Sequence, residues 1–222
     1  MKKNPLLHTI KTKPIAHTRI ATHNKKDLKS FFLEYQSILT KYDIKQGKDI
    51  FNLDESAVRI GCPTGEIVIV PTEVKELYTA SPENRQSLTI METICAERSP
   101  LRPPVIICPG EKILEDWIND NLTGAELIAI SPTGYAEEKI ALTWLDHFIR
   151  QIDTGPNQHW RLLLPDGDIT NFKDDFIIKC HENHIVPFQF PSHHTHVLQP
   201  LDVGVFCPWK HYHNKAILLY TS

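Results

Sequence analysis

Apolar residues recur at three- and four-residue spacing over KKDLKSFFLEYQSILTKY (25–42), with Leu28, Phe31, Phe32, Tyr35, Ile38 and Leu39 on one face. That period predicts an amphipathic helix, and Thr22 or Asn24 stands where its cap would lie. DIFNLDES (49–56) is a short apolar run that stops at Asp54 and predicts a first strand. VRIGC (58–62) and EIVIV (66–70) predict two more strands around a Pro-Thr-Gly connection. LTIMETICA (88–96), PPVIICPG (103–110) and ELIAIS (126–131) add further strands. Over 137–152 the period returns to helical, with Ile140, Leu142, Leu145, Phe148, Ile149 and Ile152 as its apolar side. WRLLL (160–164) predicts a buried strand, DDFIIKCHEN (174–183) a helix, IVPFQF (185–190) a last strand, and a terminal helix follows. Strands in a run, then helices alternating with strands, imply an α/β domain with helices packed on a mixed sheet.

Composition narrows the class. The chain has 222 residues, 41% of them hydrophobic, enough for one domain with a real core. No apolar run reaches the ~18 residues of a membrane span, and no apolar stretch follows the N-terminal lysines as a signal peptide would require. The expectation is a soluble, intracellular protein. Five dispersed cysteines without a Cys-x-x-Cys pair fit reduced thiols. Net charge is −3, unevenly placed: residues 1–30 carry eight Lys/Arg and one acid, Asp27. A basic arm ahead of an acidic body suits a polyanion partner, or is simply a solvated leader.

Candidate chemistry lies in three acids. Asp54 closes the first predicted strand, Asp166 follows WRLLL, and Asp202 follows the last predicted strand. Sites in open α/β sheets gather beyond the carboxyl ends of strands, and neighbouring strands are ~5 Å apart. Three carboxylates brought together repel unless divalent cations neutralise them, and hard oxygen ligands suit Mg²⁺. Read as residues alone, they are such a cluster or three ordinary surface acids among 27 Asp and Glu. PSHHTHVLQPLDVGVF (191–206) adds His193, His194 and His196, which could hold zinc, although no cysteine stands at finger spacing.

The acid-bearing blocks carry a resemblance. IFNLDESAVRIG, WRLLLPDG and PSHHTHVLQPLDVGVFCPWKHY resemble, in order, the three acidic blocks of pogo-like transposases, the DDE superfamily endonucleases related to mariner elements and to centromere protein B. Thirty-five residues lie between Asp166 and Asp202, similar to the spacing of that branch. The likeness runs from about residue 8 to about residue 217. It implies an RNase H-like fold over 25–222, shortened at its C-terminus, behind a basic linker arm at 1–24. It implies Asp54, Asp166 and Asp202 as catalytic, metal-binding residues using Mg²⁺ or Mn²⁺. It further implies DNA as partner, with Lys210 approaching it and His193 and His196 shaping their loop or approaching it too, residence in the nucleus, no membrane association, and room for a homo-oligomer. The family cuts DNA at element ends and joins the freed 3′ hydroxyl to a target.

Four departures set the alternative, an inactive or domesticated remnant that binds DNA or protein. Pro165 directly precedes Asp166, where an aliphatic residue is usual, and proline removes a ladder donor. DGDITN (166–171) places Asp168 and Asn171 where the family has histidines. The helix-turn-helix that the resemblance leads one to expect ahead of the domain is not among residues 1–24, which read as only the linker that follows it. The chain ends at Ser222, so the last helix is expected to be short.

Overall fold

The computed structural model describes residues 25–59, 87–97, 102–118, 121–135, 137–166, 174–191 and 194–213. Their elements, in chain order, are α1 (Lys25–Lys41), β1 (Ile50–Arg59), β2 (Ser87–Cys95), β3 (Val105–Pro109), β4 (Leu127–Ser131), α2 (Glu138–Ile152), β5 (Arg161–Pro165), α3 (Asp174–Glu182), β6 (Ile185–Pro187) and α4 (Thr195–Leu198). A π-helical turn, Leu201–Phe206, continues as a helical path through 213. The predicted EIVIV strand, the candidate caps Thr22 and Asn24, and the basic arm lie outside the described residues.

Six strands form one mixed sheet in the order β4-β3-β2-β1-β5-β6. β1 pairs antiparallel with β2 along nine residue pairs, Phe51↔Cys95 to Arg59↔Ser87, and parallel with β5 from Ile50↔Leu162 to Leu53↔Pro165. β1 is therefore interior, and its two neighbours hold it for different lengths.

Side-chain alternation sorts the sheet into two faces. Phe51, Leu53, Met91, Ile107 and Leu163 point to one, where α2 and α3 add Trp144, Leu145, Phe148, Phe176 and Cys180. The aromatic rings interlock: Trp144 stacks on Phe148 at 5.0 Å, and Phe51 meets Phe148 edge-on at 5.2 Å. Each such buried side chain contributes roughly 1.5–3 kcal/mol of burial. Leu162 and Leu164 point to the other face, against Phe31 of α1, Ile44 and Phe190. WRLLL reads as continuously apolar because β5 has a core on both sides.

Several expectations are corrected. VRIGC does not begin a new strand: β1 runs unbroken through Arg59, because its pairing with β2 lasts to Arg59↔Ser87. Asp54 therefore lies within β1 rather than at its end. The last strand is only Ile185–Pro187. Pro187 lacks an N–H, and beyond it Phe188 and Phe190 turn into the core, their rings 5.1 and 5.8 Å from Phe31. The 137–152 helix buries Trp144 and Ala141 besides the predicted residues, with Leu142 and Ile149 only partly covered.

Pro165 does not break β5 but closes it, in register with Leu53. Backbone groups alternate sides along a strand. Arg161 N–H donates to His184 O, and Leu163 O accepts from Phe188 N–H, so odd positions of β5 face β6. The donor that Pro165 lacks would point toward β6, where the ladder has already ended at Leu163↔Pro187.

Candidate active site

Asp54 sits one residue past Leu53↔Pro165, the last parallel pair of β1 and β5. Asp166 follows Pro165 directly, so the first two acids lie at the same end of that pair. The third arrives on a helix: Asp202 is in the first turn of the π-helical segment, which packs against β1. π-turns are rare and cluster at functional positions.

The three carboxyls differ in exposure. Asp54 is buried, Asp166 half-buried and Asp202 exposed. Burial is the largest cause pushing the Asp54 carboxyl up from its usual 3.8 to about 7. The charge of Asp202 raises it further and that of Asp166 adds less, while the Glu55 N–H donated to Oδ1 at 2.7 Å opposes them. Asp54 thus feels both partner acids, the third more than the second. Among the described residues no Lys or Arg forms an ion pair with Asp54. Nor are three His, Cys, Asp or Glu side chains gathered there into a group that could hold a metal ion. The acids share one end of the sheet without closing into a finished ligand set. Their donor chemistry, carboxylate oxygen only, fits a hard divalent cation.

Two residues that sequence reasoning passed over shape this place. Asn52 and Gln199 are both buried. Asn52 Nδ2 donates to Leu164 O at 2.7 Å and to Gln199 Oε1 at 2.5 Å. Asn52 Oδ1 accepts the Leu201 N–H at 3.1 Å, and Gln199 Nε2 donates to Leu53 O at 3.3 Å. The available signal for Asn52 was a polar residue between apolar neighbours, two positions before an acid.

Glu92 is a third residue passed over. It lies directly across from Asp54 in the β1–β2 register, hence on the same face. Burial pushes its carboxyl to about 7. With Ile90, Pro104, Val205, Phe206 and Trp209 it lines a cavity of about 150 Å³ under the helix that carries Asp202.

The histidines divide. His193 lies outside the described residues, as do the side chain of His196 and Asp168 and Asn171. His194 is buried; its N–H donates to Pro191 O, and its carbonyl accepts from Val197 and Leu198 N–H at the start of α4. It is built into the turn that leads to Gln199. Lys210 is exposed, with Nζ 5.7 Å from the Phe206 ring centre. At the opposite end of the β1–β5 pair, buried Asp49 is bonded to Arg161 and His159, each at 3.1 Å. That cluster ties the strand starts together and is remote from the acids.

A mixed sheet with helices on it, carrying acids after β5, beside the end of its pairing with β1 and on a following helix, has the architecture of an RNase H-like domain. Residues 85–222 match the profile of the DDE superfamily endonuclease family, and the chain belongs to that family. Among solved structures it resembles the mariner Mos1 paired-end complex with Mg, at TM-score 0.59 and 13% identity over 96% of this chain and 54% of that one. The Mos1 paired-end complex with Mn gives 0.58 and 14% over 93% and 53%. The Mos1 transposase paired-end complex with left transposon end gives 0.55 and 11% over 96% and 54%. The chain thus spans about half the length of these transposase chains. It is also 31% identical over 178 residues to the MFS-type transporter clz9 of Cochliobolus lunatus, spanning 80% of this chain and 19% of that protein. The transport in that name belongs to that protein; among the described residues here no helix is long and apolar enough to cross a membrane.

Proposed function

We propose that the chain is a metal-dependent DNA-cleaving and strand-joining domain of the transposase type, with Asp54, Asp166 and Asp202 as its cation-binding carboxylates. The observation that carries the reading is the placement of Asp54 and Asp166 just past the last parallel pair of β1 and β5, with buried Asp54 pushed to about 7 first by its burial and then by the charges of Asp202 and Asp166. A buried acid perturbed by specific charged neighbours, beside the carboxyl end of a parallel strand, is a functional-site candidate. Support also comes from family membership and from the transposon-end complexes, with Mg or Mn, that share the fold.

Asp54 is the fixed member: β1 sets its backbone, and the Glu55 N–H orients Oδ1. Asp166 and Asp202, less buried, approach from the open side. Mg²⁺ or Mn²⁺ held there would activate the attacking water or 3′ hydroxyl and stabilise the leaving oxygen of a phosphodiester. No covalent link between protein and DNA is required. Lys210, exposed on the helix after Asp202, is assigned contact with phosphate, and His193 and His196 are assigned the same approach. Such contacts hold DNA without reading its sequence. The DNA substrate makes the nucleus the expected compartment.

The test is nicking of a duplex bearing the element's terminal repeats, with Mg²⁺ or Mn²⁺ and with EDTA. Cleavage that needs the metal and disappears in Asp202→Ala supports the proposal. DNA binding with no cleavage in either metal would refute the catalytic reading and leave a DNA-binding relic.

A further inference from the structure

We infer that Asn52 is a positioning residue that sets the three acid-bearing segments relative to one another, with Gln199 as its partner; the inference rests on the site proposed above. Its contacts fall no more than two residues from each acid. Asn52 itself is two residues before Asp54 on β1 and, by strand alternation, on the same face. Its amide donates to the carbonyl of Leu164, two residues before Asp166. Its oxygen accepts the N–H of Leu201, one residue before Asp202.

The topology explains why a side chain is needed. Parallel pairing of β1 and β5 ends at Leu53↔Pro165, just before the first two acids. The third segment is a helical turn that joins no strand. Ladder hydrogen bonds therefore cannot fix Asp202 against Asp54. Buried amides supply what the backbone does not: both Asn52 donors and its acceptor are engaged, and Gln199 returns a bond to Leu53 O. An amide has two donor hydrogens and an acceptor oxygen, so every polar atom of the Asn52 side chain is hydrogen-bonded. An apolar side chain would pack in this interior without desolvating a polar group. A hydrogen-bonded amide network there gives one geometry rather than extra burial.

Outer-shell partners of metal ligands typically change affinity about 10–100-fold when removed. Two readouts on the full chain test the role, with Phe148→Leu, in the core on the other face, as a stability-matched control. The first is amide hydrogen exchange at Leu201, which needs no metal; the second is Mn²⁺ affinity by titration. Asn52→Ala is expected to speed Leu201 exchange at least ~10-fold while Leu163 stays protected, and to weaken Mn²⁺ binding at least ~10-fold. The control is expected to leave both unchanged. If Asn52→Ala does not fold, Gln199→Met carries the test, with about 3–10-fold losses expected in both readouts. Unchanged Leu201 exchange overturns the clamp. Faster exchange with undiminished Mn²⁺ affinity, or equal losses in the control, overturns its positioning role. A wild-type chain that binds no Mn²⁺ defeats the proposed site itself, and with it the positioning role, whatever the exchange shows.

Discussion

Replacing Asp54 by Asn should stabilise the metal-free protein, and increasingly so as pH rises. The folded state holds this carboxyl at about 7 against 3.8 normally. Between those values the unfolded chain ionises Asp54 while the folded chain keeps it protonated, so unfolding gains free energy with each step in pH. One pKa unit corresponds to about 1.4 kcal/mol. The full penalty is then up to about 4 kcal/mol, reached above about pH 7 and absent below about pH 4. Asn keeps the oxygen that accepts the Glu55 N–H and removes the charge facing Asp202 and Asp166. Urea unfolding in EDTA should show the advantage of Asp54→Asn growing by about 2–3 kcal/mol between about pH 5 and 8.5. Glu92 titrates in the same range but is common to both proteins and cancels in the difference. With Mg²⁺ at about a hundred times its Kd, the wild type should gain about 2.7 kcal/mol and the variant less. An advantage that is flat with pH, or a variant less stable than wild type at about pH 8, would show that Asp54 is a structural acid and that the electrostatic reasoning fails.

The remaining expectations concern the scaffold. Arg161→Met leaves Asp49 buried with His159 as its remaining ion-pair partner among the described residues, and should cost about 3 kcal/mol in urea unfolding. Gly134→Ala places a Cβ 2.8 Å from the Ser87 carbonyl oxygen at φ +75°, and should lower stability by about 2 kcal/mol with a matching drop in melting temperature. Pro165→Leu should change stability by less than about 1 kcal/mol and leave metal-dependent nicking unchanged, because the missing donor faces no partner strand; a rise in nicking rate would restore the view that proline misdirects Asp166.

Period and punctuation alone determined much of this protein. Helical spacing placed α1 and α2, the apolar runs placed β2 to β5, and three ordered acidic blocks pointed to the family. These are local signals, set by which residues must face a core at intervals of 2 or 3.6. The same local view put the end of the first strand at Asp54, because an acid in an apolar run resembles a terminus. Only the tertiary structure showed β1 continuing under β2 to Arg59, with the parallel ladder to β5 ending beside the acid. Likewise, Pro165 was harmless only once the side of β5 facing β6 was known. The Asn52–Gln199 link spans 147 positions and unites a strand with the approach to a helical turn; no spacing rule reaches that far, because its partners meet only after the sheet has formed. Local preference wrote the elements, and long-range pairing decided which acids share a neighbourhood and what holds them there.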